Sequence, residues 1–238
     1  PPLSSLRVIE SSILGPAAIT TALGDLGADI IKVEAPSGDY IREMTWPIIE
    51  GVSLMHYHLN RGKKSITLDL KNEAAREIYR ELVRGADVVI EASKPGALAR
   101  YGLGYEDLRK INPKIVFCTV SGYGMTGPYK DMPSHGIAYD TWCGVVKPAY
   151  DDEGFCYIPE HVGIGINAAP LFGGLAVLAG VIRARETGEG CFMELAQSDA
   201  AAAFDWYRSE SHMAYARPED VVTGNKADGY VRRPVATA

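Results

Sequence analysis

Residues 6–34 read LRVIESSILGPAAITTALGDLGADIIKVE, and the fold follows from them. Leu6 to Glu10 makes a short strand rich in β-branched residues. Gly15-Pro16 then breaks the chain, and Pro16 suits the first turn of a helix, where its missing N–H leaves no bond unmade. Ala17 to Leu26 holds good helix formers, and Gly27 ends the run. Ala28 to Glu34 is a second strand. A β-α-β unit of this kind is right-handed, with its strands parallel.

The same alternation continues downstream. Lys64 to Leu70 is extended. Asn72 caps a helix running to Arg84, with Ala75, Ile78, Tyr79, Leu82 and Val83 on one face. Gly85 stops it, and Asp87 to Glu91 is the next strand. Tyr105 to Ile111 is a short helix closed by Asn112-Pro113, and Ile115 to Val120 is a strand. Asn167 to Arg185 is a long helix carrying Leu171, Leu175, Leu178, Ala179 and Ile182 at helical spacing. Cys191 to Leu195 is a last strand, Asp199 to Ala216 a second helix ended by Pro218, and the polar segment after it reads as linker. The fold class is α/β, a Rossmann-like doubly wound and mainly parallel sheet with helices on both faces.

Composition sets the outer limits. The 238 residues suffice for a large domain with a substantial core, and 47% of them are apolar. The net charge of −6 argues against a general nucleic-acid surface, although local cationic pockets remain compatible with it. Cys118, Cys143, Cys156 and Cys191 show neither C-x-x-C spacing nor paired histidines, so no metal site and no structural disulfide are expected. No apolar run is expected to span a bilayer. The first residues, Pro-Pro-Leu-Ser-Ser, lack the regions of a secretory signal. A cytoplasmic location is the resulting expectation.

Several groups carry candidate chemistry. Arg61, Lys63, Lys64 and Lys71 form the densest basic run. Each alone reads as a solvated strand edge, but together, beside strand ends, they suit a phosphate-bearing ligand. Lys94 and Arg100 flank the Pro95-Gly96 turn and can reach the same ligand. Glu34 closes the second strand where a dinucleotide fold places its ribose-binding acid, yet Gly-x-Gly-x-x-Gly is absent there. Gly163-Ile-Gly165-Ile-Asn-Ala168 matches a later variant of that pattern, but a turn into a helix explains it better. His135 lies in a loop after the turn 124–128 and can exchange protons near neutral pH. Glu160 and His161 could form an acid/base pair, although neighbours on an extended segment point to opposite sides. Tyr139 and Trp142 suit core packing. No Gly-x-Ser-x-Gly, Walker loop or His-Glu-x-x-His pattern occurs, which argues against common hydrolase, NTPase and zincin chemistry.

Read together, these segments resemble the family III CoA-transferases, the group of carnitine dehydratase, formyl-CoA transferase and α-methylacyl-CoA racemase. The resemblance rests on Gly-Pro-Ala at 15–17 with Leu-Gly-Ala-Asp-Ile-Ile-Lys-Val-Glu at 26–34, and on Asn60-Arg61 with Lys64-Ser-Ile-Thr-Leu-Asp-Leu. It continues through Pro-Gly-Ala-Leu-Ala-Arg at 95–100, Gly-Leu-Gly-Tyr at 102–105, Ser-Gly-Tyr-Gly-x-Thr-Gly-Pro-Tyr at 121–129 and Arg-Glu-Thr-Gly-Glu-Gly at 185–190. It covers Leu6 to Asp199. The resemblance implies a CoA-binding large domain over 1–217, with 218–238 a linker toward a small domain absent from this sequence. It also implies dimers that interlock like chain links. The positions implied to touch CoA are Ser12, Ile13, Leu68, Lys71, Ala92, Ser93, Arg100 and Tyr101.

Three departures from the family pattern stand out. Ala35 replaces an arginine usual at a CoA contact, and Glu91-Ala92-Ser93 replaces Glu-Asn followed by an aromatic. The third concerns the aspartate that, in the family, attacks the acyl-CoA to give an anhydride and then an enzyme thioester. Counting back from Thr187 puts that position at Ile166, which cannot be a nucleophile. The resemblance therefore implies CoA transfer between an acyl-CoA and a carboxylic acid, with this chain a subunit lacking the catalytic aspartate. The alternatives are an acyl-CoA α-proton racemase or isomerase using His135, and a non-catalytic CoA-binding relic. His135 and Glu160 are the catalytic candidates. Coenzyme A or acyl-CoA is the expected ligand, without a metal. The expected partners are a carboxylate substrate and a second copy or related catalytic subunit, with no nucleic acid and no membrane.

Overall fold

The computed structural model describes residues 1–160 and 163–206. The expected β-α-β unit forms as β1 (Arg7–Ser11), α1 (Ala17–Asp25) and β2 (Asp29–Glu34). A small hairpin, β3 (Pro47–Ile49) and β4 (Val52–Ser53), and the helix α2 (Leu54–Asn60) then lead to β5 (Lys64–Thr67). Next come α3 (Glu73–Arg84), β6 (Val88–Glu91), α4 (Tyr105–Ile111) and β7 (Val116–Ser121). After β7 the chain forms α5 (Gly136–Trp142) and a second hairpin, β8 (Ala149–Tyr150) with β9 (Cys156–Tyr157). The last described elements are α6 (Ile164–Thr187), β10 (Cys191–Ala196) and α7 (Gln197–Phe204). The helix expected over Asp199–Ala216 begins at Gln197. Its part beyond residue 206, the segment 218–238 and His161 lie outside the described residues.

Six strands pair in parallel in the order β10-β7-β6-β1-β2-β5. Alternation along the strands divides the core in two. Val8, Ile30, Val88, Ile90, Val116, Cys118 and Val120 face α1 and α6. Ile9, Val33, Val89 and Phe117 face α3 and α4. Each fully buried aliphatic side chain contributes roughly 1.5–3 kcal/mol, so the two layers carry most of the stability.

One crossover breaks the right-handed rule. The β1-α1-β2, β5-α3-β6 and β6-α4-β7 units share one hand. The β7-α6-β10 unit moves along the sheet in the same direction as β6-α4-β7, yet its helix lies on the opposite face. It therefore has the opposite hand. The preference for right-handed units, about 98% of cases, arises because a right-twisted strand feeding directly into a helix packs back onto the sheet only that way. Here α5 intervenes between β7 and α6 and packs on α6 and α7, and α6 turns back along the other face. As a result α6 begins at the carboxyl rim of the sheet.

The packing of α6 corrects the sequence reading. Leu171, Leu175 and Ile182 are 61%, 67% and 59% exposed, while Gly173, Val177, Gly180, Val181 and Ala184 are buried. Small residues win the inner side because they let the helix approach the sheet: a Cβ at Gly180 would lie 2.4 Å from Met193 Cε and 2.9 Å from Val116 Cγ1. By length and composition α6 is also apolar enough to cross a bilayer, contrary to expectation. Its buried side forms part of the sheet's core.

Candidate functional site

The direction of winding reverses between β1 and β6, since β1 leads to β2 on one side and β5 returns to β6 on the other. Ligands of open α/β sheets bind outside the carboxyl ends of the strands at such a reversal. The residues there are Ser11 at the end of β1 with Ser12 after it, and Glu91 at the end of β6 with Ala92 and Ser93 after it. Four of the expected CoA positions, Ser12, Ile13, Ala92 and Ser93, thus fall at the crevice. Ser12 is buried, Ile13 is 38% exposed, and Ala92 and Ser93 are half-buried.

The loop from Ser12 to Pro16 is the most unusual piece of backbone. Leu14 has φ +56°, in the left-handed region that side chains with a Cβ avoid. Holding it there costs about 1–3 kcal/mol, which the surroundings must offset. They do so from below. Glu10, fully buried on β1, accepts from Lys32 Nζ at 2.9 Å and from Ser12 Oγ at 3.2 Å through one carboxylate oxygen. Its other oxygen accepts from Thr20 Oγ1 and pairs with Lys63 Nζ at 2.8 Å. Lys32 also donates to the Ser12 carbonyl at 2.5 Å and pairs with Asp39 at 3.0 Å. Lys63 donates to the Ala17 carbonyl at 2.8 Å and to Asn60 Oδ1 at 3.1 Å. Burial acts against charge on both ammonium groups. Glu10 and Asp39 nevertheless keep Lys32 above its ordinary value, whereas Lys63, burdened by burial and by Lys32, falls to about 8.

The basic run is accordingly distributed differently from expectation. Arg61 pairs with Asp25, Lys63 with Glu10, and Lys64 with Asp29 at 2.6 Å. Lys71, Lys94 and Arg100 are exposed and make no ion pair among the described residues. Glu34 is not free for a ribose: it accepts from Arg42 at 2.7 and 3.1 Å, from Ser65 and from the Asp39 amide. Although burial opposes it, these donors hold its carboxyl down at about 2.

Arg76, which no sequence pattern singled out, ties the loop after β5 to the 100–101 turn, making one wall on the α3 side of the sheet. One guanidinium nitrogen donates to the carbonyls of Leu70 and Lys71, both at 3.0 Å, and the group lies 5.8 Å from the Tyr101 ring centroid. Lys71 and the Arg100-Tyr101 turn are thereby held near one another, with Leu68 buried beneath. Tyr79 on α3 bonds Ser11 Oγ at 3.1 Å and joins that wall to β1. Glu91 accepts from Thr119 Oγ1 and from the Ser93 amide at 2.8 Å. Burial raises its carboxyl despite those donors.

At the start of α6, Ile166 is half-buried and packed on the β1–α1 loop: a Cβ at Gly15 would lie 2.5 Å from Ile166 Cγ1 and 3.3 Å from Gln197 Oε1. That Gln197 oxygen is buried without a hydrogen-bond partner among the described residues. A carboxylate does stand nearby, but it is Asp140 of α5. It is fully buried and accepts from the amides of Ile164 at 2.9 Å and Gly165 at 2.7 Å. Capping of this kind positions the helix and leaves the carboxylate poorly placed for attack. Its role was not legible, because capping from a distant element has no local sequence signal. Side chains of His135 and Glu160 are exposed and form no hydrogen bond or ion pair among the described residues. A cavity of about 670 Å³ lies elsewhere, between Arg7, Ile31 and the Ile78–Leu82 side of α3, at the amino end of the strands.

Comparison with known proteins agrees with this geometry. The model of CoA-transferase family III matches residues 3–234. A succinate–glutarate CoA-transferase of Agrobacterium fabrum is 38% identical over 231 residues, covering 92% of this chain and 56% of that protein. The beta subunit of a succinyl-CoA–L-malate CoA-transferase of Chloroflexus aurantiacus is 33% identical, covering 82% and 49%. The crystal structure of a CaiB/BaiF family protein from Brucella suis superposes with TM-score 0.80 at 33% identity, covering 91% of this chain and 58% of that one. The chain spans about half the length of the curated relatives it matches. With the six-stranded sheet, the crevice at its reversal point and the matched model all in agreement, the chain belongs to CoA-transferase family III.

Proposed function

We propose that this chain binds an acyl-CoA across the β1/β6 crevice and takes part in CoA transfer between that thioester and a carboxylic acid. The observation that carries this reading is convergence. Ser12, Ile13, Ala92 and Ser93 lie at the reversal point, and Arg76 links the loops of Lys71 and Tyr101 beside it. The exposed charges of Lys71 and Arg100 suit phosphates, and Leu68 with Tyr101 offers apolar contact to the adenine.

Transfer needs a carboxylate nucleophile. It attacks the thioester carbonyl and releases CoA thiolate, leaving a mixed anhydride. The thiolate then attacks the enzyme-side carbonyl, freeing the first acid and forming an enzyme thioester. An incoming carboxylate attacks that thioester, expelling CoA thiolate and leaving a second mixed anhydride, and the thiolate attacks its acid-side carbonyl to form the new acyl-CoA and free the enzyme carboxylate. Ile166 cannot start this sequence, and Asp140 is engaged as a cap. The chain therefore acts with a related subunit that supplies the carboxylate, in a homologous pair. The exposed Leu171-Leu175-Ile182 stripe of α6 is consistent with a covered face. No observation favours the isomerase reading, since His135 has no bonded partner among the described residues to orient it.

Transfer from succinyl-CoA to glutarate, the acids named for the Agrobacterium relative, is the assay. The chain alone should give no product, and Ile166→Asp or added carboxylate-bearing subunit should give some. Turnover by the unmodified chain alone would place the nucleophile elsewhere in it. Failure to bind any acyl-CoA would end the reading.

A further inference from the structure

We propose that Glu10, Lys32, Lys63 and Asp39 form a buried two-point clamp that sets the conformation of the 12–16 loop, with Lys32 and Lys63 as positioning residues for the ligand. The inference rests on the CoA-binding reading for its ligand, but its geometry stands alone.

The strained residue, Leu14, lies between two carbonyls that are gripped by ammonium groups. Lys32 holds the Ser12 carbonyl at 2.5 Å on one side, and Lys63 holds the Ala17 carbonyl at 2.8 Å on the other. Both cations meet on one carboxylate, Glu10, whose two oxygens are divided between them. The two lysine side chains are 2% exposed and the Glu10 side chain 0%. Asp39 braces Lys32 from the far side and is itself 1% exposed as a side chain. Thr20 and Ser12 fill remaining acceptor positions on Glu10.

Buried ion clusters are poor stabilisers compared with packed apolar groups, because desolvation offsets most of the attraction. Two cations and two carboxylates under a single β-α turn are therefore better explained by what they fix than by how much they stabilise. They fix the two ends of a loop that must present its backbone in a disfavoured conformation. Neither lysine reaches solvent, so neither serves as a phosphate contact.

Hydrogen exchange of the ligand-free chain and calorimetry with coenzyme A test this together. The variants are Lys32→Met, Lys63→Met and the milder Thr20→Val, which removes a donor to Glu10 but keeps all four charges. Arg84→Met, on a surface pair with Glu81, is the control. Exchange at residues 12–19 should rise tenfold or more in either lysine variant and at least threefold in Thr20→Val. Amides of α3 should stay within twofold, and Arg84→Met should change neither region. The dissociation constant for coenzyme A should weaken at least fivefold in the same variants. If a lysine variant does not fold, Thr20→Val decides alone. Unchanged exchange at 12–19 in the folded variants, or an equal rise throughout the sheet and α3, overturns the clamp. Localised loosening in a chain that never binds coenzyme A supports the clamp and refutes the ligand. Binding that is indifferent to all three variants overturns the positioning role.

Discussion

At the scale of single residues, charge placement decides what each basic side chain can do. Arg61, Lys63, Lys64 and Lys71 are neighbours in sequence and look equivalent there. Burial against Glu10 removes Lys63 from ligand contact, while Arg61 and Lys64 are engaged in exposed pairs with Asp25 and Asp29. Those carboxylates come from β1, α1 and β2, so the pairing exists only once the sheet has formed. Lys71 and Arg100 were legible because exposed loop cations need no distant partner. Glu34 illustrates a titration with a measurable consequence. Its carboxyl sits at about 2 when folded against 4.5 ordinarily. The stability this gives is complete above pH 4.5 and is lost as the pH falls toward 2. Allowing for the part-exposed Arg42, it amounts to roughly 1–3 kcal/mol. Arg42→Met should therefore raise the pH of acid unfolding, followed by circular dichroism, and leave near-neutral pH as the region of largest stability loss. An unshifted acid transition would mean that Ser65 and the Asp39 amide hold Glu34 without the guanidinium.

At the scale of elements, helix ends were the most readable features. Asn72 caps α3 by accepting from the Ala74 amide, as expected of an Asn before a helical run. The Thr-Gly-Glu-Gly signature after α6 has a local explanation. Gly188 adopts φ +78° to end the helix, and a Cβ at Gly190 would lie 2.0 Å from the Ile115 carbonyl oxygen. The face of α6 was not readable, because the helix is apolar on every side and periodicity cannot say which side is inward. The glycines decide it. Gly180→Val would push a branched side chain into Met193, Val116 and Cys191, and should destabilise the chain by about 2–4 kcal/mol in denaturant unfolding. Leu175→Ser, on the exposed side, should cost under about 1 kcal/mol in the isolated chain. The reverse order would mean that the leucine stripe, and not the glycine side, packs on the sheet. The hairpins and α5 escaped the sequence reading because short elements carry too few residues for a period to show.

For the whole molecule, the alternation of strands and helices gave the doubly wound class from the opening β-α-β unit onward. It could not give the opposite hand of the last crossover, in which α5 intervenes between β7 and α6. That crossover brings Ile166 and Gln197 against Gly15, and so joins the starts of α6 and α7 to the first loop. Titration calorimetry of coenzyme A into the chain, beside Lys71→Glu and Arg100→Glu, tests whether the carboxyl rim holds the ligand. Saturable binding at one site per chain is expected, weakened at least tenfold by each reversal and further by higher salt. Absence of binding heat in the folded chain, or binding that neither reversal alters, would contradict it.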